Sequence, residues 1–250
     1  MGPLETQPLD LPEVPVPTVR LRGAVALLGT FPALSGLDLD VAPGEVAVIR
    51  GANGAGKTTL LKVCAGLVPV VTGEATVLGC DLAADRRGVR RRIGLLAHSD
   101  HLYDDLTPRE NLVFLVKAGG GSPRSVDYAL ERVGISGRLA TTRVASLSAG
   151  QRRRTALAVL VARQPGLWLL DEPHVTLDTE GREILDRVIA EAAAGGAAIL
   201  LVTHEAEVES RLLGLSETAS VVTMAGGTAC SHLRRVPGGS GQAREGAHVA

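Results

Sequence analysis

Three absences narrow the reading of this chain before any motif is considered. It has no surplus of charge: 26 Lys and Arg stand against 27 Asp and Glu, a formal net charge of −1. That balance gives no electrostatic case for nucleic acid as the main partner. It has no segment approaching the roughly 18 consecutive apolar residues that a membrane helix needs. Nor do its first residues show a basic segment followed by an apolar core, so no span and no secretory leader are expected. Cysteine is scarce. Cys64, Cys80 and Cys230 make no CxxC or metal-like spacing and leave an odd thiol, so a reduced cytosolic interior is expected. At 250 residues the chain is long enough for one large domain, or one domain with an inserted lobe, around a sizeable core.

What the chain does have is concentrated between Glu45 and Leu60. The apolar run Val46 to Ile49 predicts a buried strand, followed by Gly51-x-x-x-x-Gly56-Lys57-Thr58, the phosphate-binding loop spacing, opening a helix. Gly51, Gly54 and Gly56 let the backbone take conformations closed to residues with a β-carbon, so successive N–H groups can converge on one point. At a helix N-terminus those amides favour a phosphate chain. Lys57 adds a point charge for the β- and γ-phosphates, and the Thr58 hydroxyl is placed to ligate Mg²⁺.

Five prolines before Thr18 predict a loose tail over 1–17. From Thr18 to Val41 the pattern is strand-like, and Leu37-Asp38-Leu39-Asp40-Val41 alternates as a half-buried antiparallel strand does. Further strands are expected at Ala75 to Leu78 and Ile93 to Leu96. Thr107-Pro108-Arg109-Glu110 is a capping box with proline at the first helical position. A second helix start at Ser122-Pro123 makes 99–163 an α-helical insertion into an α/β core. Leu147-Ser148-Ala149-Gly150-Gln151 then leads into a helix patterned by Leu157, Leu160 and Val161, with Arg152, Arg153 and Arg154 read as its solvated face. Leu167 to Leu170 and Ala198 to Val202 are continuous apolar runs, as parallel strands buried on both faces show. They end in Asp171-Glu172 and Thr203-His204, at the strand ends where open α/β sheets place ligands. A glycine- and serine-rich tail is expected over 231–250.

Gly51–Thr59, Leu147–Gln151, Leu167–Glu172, Thr176-Leu177-Asp178 and His204 stand in the order of the ATP-binding cassette (ABC) ATPases, which the chain resembles over residues 18–225. The resemblance implies a P-loop α/β fold with an antiparallel β subdomain and a helical subdomain within 18–230. It implies a Walker A loop (Gly51, Ala52, Asn53, Gly54, Ala55, Gly56, Lys57, Thr58, Thr59) around ATP and Mg²⁺, with Thr58 and Asp171 as metal ligands. It further implies Glu172 as general base, a D-loop Asp178, and His204 supporting the γ-phosphate. Ser148, Ala149, Gly150 and Gln151 would form a signature motif that addresses the ATP of a second cassette, so a homodimer working on a separate membrane permease is expected, held at the inner face of the cell membrane.

Departures from the common pattern carry information of their own. Ala149 replaces the first signature glycine, His98 stands where a glutamine is expected to serve catalysis, and the adenine-stacking aromatic ahead of the P-loop is replaced by Leu28, with Phe31 the nearby ring. Leu-Ser-Ala-Gly-Gln followed by arginines, Ala-His-x-Asp at 97–100 and Leu167-Trp168-Leu-Leu-Asp-Glu-Pro173 are similar to the ATPase subunit of the cytochrome c biogenesis haem-exporter group. A drug, antibiotic or lipid exporter ATPase is the alternative within transport. A soluble P-loop kinase, from another class, would account for Gly51–Thr58 but leave Ser148–Gln151 and His204 without a role.

Overall fold

The computed structural model describes residues 16–215 and 218–234. Most of the proline-rich tail expected over 1–17, and residues 235–250 of the tail expected after Cys230, lie outside them.

Two sheets form, and their strand patterns explain why. The first is antiparallel, in the order β2-β1-β4-β5, from β1 (Val19–Leu28), β2 (Phe31–Val41), β4 (Thr72–Val77) and β5 (Cys80–Asp81). Leu37, Leu39 and Val41 are buried while Asp38 and Asp40 face outward, as the alternation requires. The second sheet has the order β10-β9-β3-β8-β7-β6, from β3 (Val46–Gly51), β6 (Ile93–Leu96), β7 (Leu167–Asp171), β8 (Ala198–Val202), β9 (Ala219–Ala225) and β10 (Thr228–Arg234). All its neighbours pair in parallel except β9 and β10.

Because successive side chains point to opposite faces, the central strands feed two cores. Ala47, Ile49, Leu167, Leu169, Leu200 and Val202 pack with the antiparallel sheet and with α1 (Lys57–Cys64). Val48, Trp168, Leu170, Ile199 and Leu201 pack on the other side with α6 (Ala149–Arg163), α7 (Thr179–Ala194) and α8 (Ala206–Leu215). The helical insertion is present as α3 (Pro108–Ala118), α4 (Val126–Arg132) and α5 (Arg138–Thr141), preceded by the short α2 (Leu82–Asp85). Leu112, Val116, Ala129 and Leu130 join the second core. The insertion therefore shares apolar contacts with the sheet rather than standing on a core of its own. Thr107 caps α3 with the reciprocal Thr107–Glu110 bonds of a capping box.

One boundary differs from expectation. The chain does not become a tail at Ser231, because Gly226 and Gly227, with φ 56° and 81°, turn it back and β10 pairs with β9 through Arg234. Two residues at positive φ match the hairpin twist, and Gly-Gly supplies both without strain.

Cys64 lies wholly in the first core, and burial pushes its thiol up to about 12. Cys230 is exposed. Ellman's reagent at a pH of about 8 is therefore expected to modify Cys230 within minutes and Cys64 only as the chain unfolds. Rapid native labelling of Cys64, read by peptide mass spectrometry, would place it nearer the surface than this packing allows.

Candidate nucleotide site

The site is built on one edge of the parallel sheet. β3, β8 and β7 are neighbours, with Ile49 level with Val202 and Val202 level with Asp171, so their carboxyl ends stand side by side. Thr203 N–H bonds the Ile49 carbonyl at 3.2 Å and Glu172 N–H bonds the Val202 carbonyl at 3.0 Å, which carries the alignment past the strand ends.

At the end of β3 the loop turns through Gly51, Gly54 and Gly56 at φ 147°, 81° and 96°. A β-carbon on Gly51 would lie 2.2 Å from the Met224 carbonyl oxygen, and one on Gly56 would lie 2.4 Å from that of Ala33. Both positions are closed to any other residue. Lys57, the first residue of α1, is buried, and its ammonium donates to the carbonyls of Gly51 at 2.8 Å and Ala52 at 3.0 Å. Ala55 is buried and its N–H bonds the Ala52 carbonyl at 3.2 Å, closing the loop. The Thr58 hydroxyl donates to the Asp171 carboxylate at 2.9 Å.

Asn53, Gly54, Gly56, Lys57, Thr58, Thr59, Asp171 and Glu172 line one cavity of about 330 Å³, completed by Leu28, Phe31, Ala33 and Val202. Leu28 and Phe31, both exposed, flank it with apolar surface. A larger hollow lies elsewhere, at the amino-terminal ends of β7 and β8, and carries none of these phosphate-site residues.

His204 and Glu172 meet outside the loop, imidazole Nδ1 to carboxylate Oε1 at 3.2 Å. Glu172 is held at φ 47°, a left-handed conformation that costs a non-glycine residue about 1–2 kcal/mol. Strain of this kind persists only where surrounding bonds over-determine it.

The other expected residues are not in this cavity. Ser148 and Ala149 are exposed at the start of α6, where Ser148 Oγ accepts from Gln151 N–H at 3.2 Å and Gln151 Oε1 accepts from Ser148 N–H at 2.9 Å. Asp178 is the exposed N-cap of α7, accepting from Gly181 N–H at 2.8 Å. His98 is exposed just beyond β6; since Leu96 is level with Leu170, it falls on the edge that carries Glu172 but not among the cavity's lining residues.

The arginines after Gln151 correct the reading of a solvated helix face. Arg153 is buried and donates to four backbone carbonyls: Ala97, Asp171, Glu172 and Pro173. Arg152 forks onto Asp100 at 2.8 and 3.2 Å and reaches Asp104 at 2.6 Å. The signal was present: Arg153 shares a helical face with Ala156, Leu157 and Leu160, all buried. A charge on an apolar face marks a partner, not solvent.

The comparisons with known proteins fall in with this geometry. The family model described as ABC transporter matches residues 34–175. The chain belongs to the ABC transporter family. It is an ATP-binding, ATP-hydrolysing cassette, which sets aside the soluble kinase alternative. A curated relative from Xanthomonas campestris pv. campestris, the cytochrome c biogenesis ATP-binding export protein CcmA, is 40% identical over 88% of this chain and its own full length. A protein of the same name from Rhodopseudomonas palustris is 39% identical over 73% of this chain and 90% of its own. Among solved structures, an ATP-binding subunit of an ABC transporter superposes with a TM-score of 0.78 at 26% identity, covering 86% of this chain and 89% of its own. A dimeric ATP-binding cassette in a post-hydrolysis state, bound to ADP and Pi, shares the fold at a TM-score of 0.75 and 23% identity, covering 86% and 98%.

In this cassette the Arg152 fork ties the start of α6 to the loop that follows β6. Burial alone would push the Asp100 carboxyl up, yet the hydrogen bonds from Arg152 and from Leu102 N–H hold it below the usual carboxylate range. A carboxyl with a depressed native pKa stabilises the fold fully above its unfolded value of about 3.9, and loses that contribution as pH falls through the native value. Asp100→Asn should lower the thermal midpoint at neutral pH by roughly 3–8 °C, from about 1.5–2 kcal/mol of charge-assisted bonding. The gap to wild type should close as pH is taken below about 4. A gap in scanning calorimetry that stays constant on acidification would mean Asp100 acts through packing alone.

Proposed function

We propose that this chain is the energy-coupling subunit of an exporter of the cytochrome c biogenesis kind, hydrolysing ATP in a pair of identical cassettes that drive a separate membrane permease. The observation that carries the hydrolytic part is the convergence of Lys57, Thr58, Asp171 and Glu172 on one cavity, with His204 on the Glu172 carboxylate. The export part is supported by the likeness, over 88% of the chain, to a protein named for cytochrome c biogenesis export. The haem cargo suggested by the motif resemblance would meet the permease rather than this chain. No helix among the described residues is long and apolar enough to cross a membrane, so attachment at the inner face of the cell membrane would run through that permease.

The donor set suits Mg²⁺. A hydroxyl and a carboxylate 2.9 Å apart are hard oxygen ligands beside a phosphate site, and such ions keep several waters and take only one or two protein ligands. Thr58 and Asp171 would hold the ion; bound there, it neutralises charge on the β- and γ-phosphates. Lys57, together with the loop amides at the start of α1, binds the same phosphates. The Glu172 carboxylate accepts the proton of the attacking water as the γ-phosphoryl bond to ADP breaks. His204, bonded to Glu172 Oε1, orients that carboxylate and supports the γ-phosphate. Leu28 and Phe31 offer an apolar flank for the adenine ring. His98, exposed just beyond β6 where the family has a glutamine, would stand in for that residue as a hydrogen-bond partner of the attacking water.

Ser148, Ala149, Gly150 and Gln151 line no part of their own cavity, and they expose a helix N-terminus, which attracts phosphate. That arrangement supports their acting on the nucleotide of the facing cassette, with Asp178 alongside.

Glu172→Gln keeps size and hydrogen bonding but cannot take the water's proton. Turnover should fall at least about 100-fold, nearly 3 kcal/mol of barrier, while ATP stays bound and paired cassettes accumulate on size exclusion. Turnover within about tenfold of wild type would move the base elsewhere. Ser148→Arg should abolish hydrolysis without weakening ATP binding to the isolated subunit. A titration of monomer showing lost affinity would put Ser148 in its own nucleotide site and contradict the facing arrangement.

A further inference from the structure

Arg153 is the one arginine of α6 whose side chain is buried, at 7% exposure, and it forms no ion pair among the described residues. Removing a cation from water without a counter-charge is costly unless its donors are met. Here they are met by backbone alone. Nη2 donates to the carbonyls of Asp171 at 2.9 Å and Glu172 at 3.2 Å, Nε to that of Pro173 at 3.3 Å, and Nη1 to that of Ala97. Burial pushes the guanidinium's pKa down, and Asp171 and Asp100 counter it; an arginine keeps its charge regardless.

Three of those four carbonyls belong to the segment that carries both carboxylates of the site. One belongs to Glu172 itself, whose φ of 47° needs outside support. Four bonds give it: the Glu172 N–H bonds the Val202 carbonyl, its side chain bonds His204, and its carbonyl accepts from Arg153 and, within the same turn, from the Val175 N–H at 3.3 Å. The fourth carbonyl, Ala97, immediately precedes His98. Arg153 also lies five residues along α6 from Ser148, about 7.5 Å of rigid helix.

We infer that Arg153 is a positioning residue for Glu172, and that it makes the start of α6 and the hydrolytic carboxylate one mechanical unit. The inference rests on the facing-cassette reading proposed above. When Ser148 seats on the phosphates held by the facing cassette, α6 moves with it, and the fork of Arg153 carries that movement to the backbone of Glu172 and Ala97. Hydrolysis at one nucleotide then depends on α6 of the same chain being engaged at the other.

The test uses the full chain assembled with its permease. Arg153→Met keeps the buried volume without donors; Arg153→Lys keeps the charge and can meet part of the carbonyl set. The Met variant is expected to lose roughly 30- to 100-fold in kcat, the scale of a misplaced catalytic group, with KM for ATP changed by less than about threefold. Lys should recover about tenfold of that loss. In single-turnover measurements, Arg153→Met added to Glu172→Gln should cost less than about twofold more, because a residue acting through Glu172 has nothing left to position. A full additive loss in the double variant, a kcat for Arg153→Met within about twofold of wild type, or a loss seen equally as weakened ATP binding would each overturn the inference. If the Met variant does not fold, the same comparisons on Arg153→Lys decide the matter. Failure of the underlying reading is distinct: there, Ser148→Arg would weaken ATP binding to the isolated subunit, whatever Arg153→Met does to kcat.

Discussion

A strand buried on both faces cannot slip by one residue without exchanging the side chains of two cores. β3, β8 and β7 are such strands: Ile49 and Leu169 feed one core, Val48 and Leu170 the other. Their ladder is therefore fixed by apolar packing far larger than any force the polar groups exert. The site inherits that precision at the strand ends, where Gly51, Asp171 and Thr203 leave the sheet within one or two residues of one another. β8, between the other two, ends two residues before His204, whose imidazole reaches the Glu172 carboxylate.

With the backbone so constrained, the polar groups can be held in arrangements they would not choose alone. Lys57 is buried against carbonyls, two acidic residues sit in sequence at a strand end, and Glu172 takes a left-handed conformation. Thr176, a few residues on, is also left-handed at φ 72°. Two such residues between β7 and α7 mark a segment whose shape is imposed by its surroundings. The bonds that impose it from outside the segment come from β8 with His204 just beyond it, and from α6, two stretches distant in sequence.

This distribution explains what the sequence made legible. The phosphate loop, the capping box at Thr107 and the apolar runs are local, and each is written in consecutive residues whose types have few other uses. The strand ends bearing Asp171 and His204 followed from the two buried runs. Arg152 and Arg153 were misread because their partners are two carboxylates about fifty positions away and a set of backbone carbonyls. A carbonyl leaves no trace in a sequence, since every residue has one. The hairpin at Gly226-Gly227 was missed for another reason: β10 holds Cys230, Ser231 and His232, a weakly apolar set that pairs because β9 offers it a ladder.

The altered signature motif follows from the same geometry. A β-carbon at position 150 would lie 3.0 Å from the Thr176 carbonyl oxygen, tighter than ordinary contact, and Thr176 is fixed in its left-handed conformation. The segment leading to α7 therefore favours the second glycine of the motif, since a β-carbon there would have to displace the Thr176 carbonyl by a few tenths of an ångström. Position 149 is exposed, and its alanine is a better first-turn helix residue than glycine by up to about 1 kcal/mol. The Ser148–Gln151 capping box engages the Gln151 N–H, while the N–H groups of Ala149 and Gly150 stay unbonded within the helix, as first-turn amides do. An alanine at 149 thus firms the start of α6 while leaving its first-turn amides uncovered, and a firmer start suits a helix whose next turn carries Arg153 and its bond to the Glu172 carbonyl.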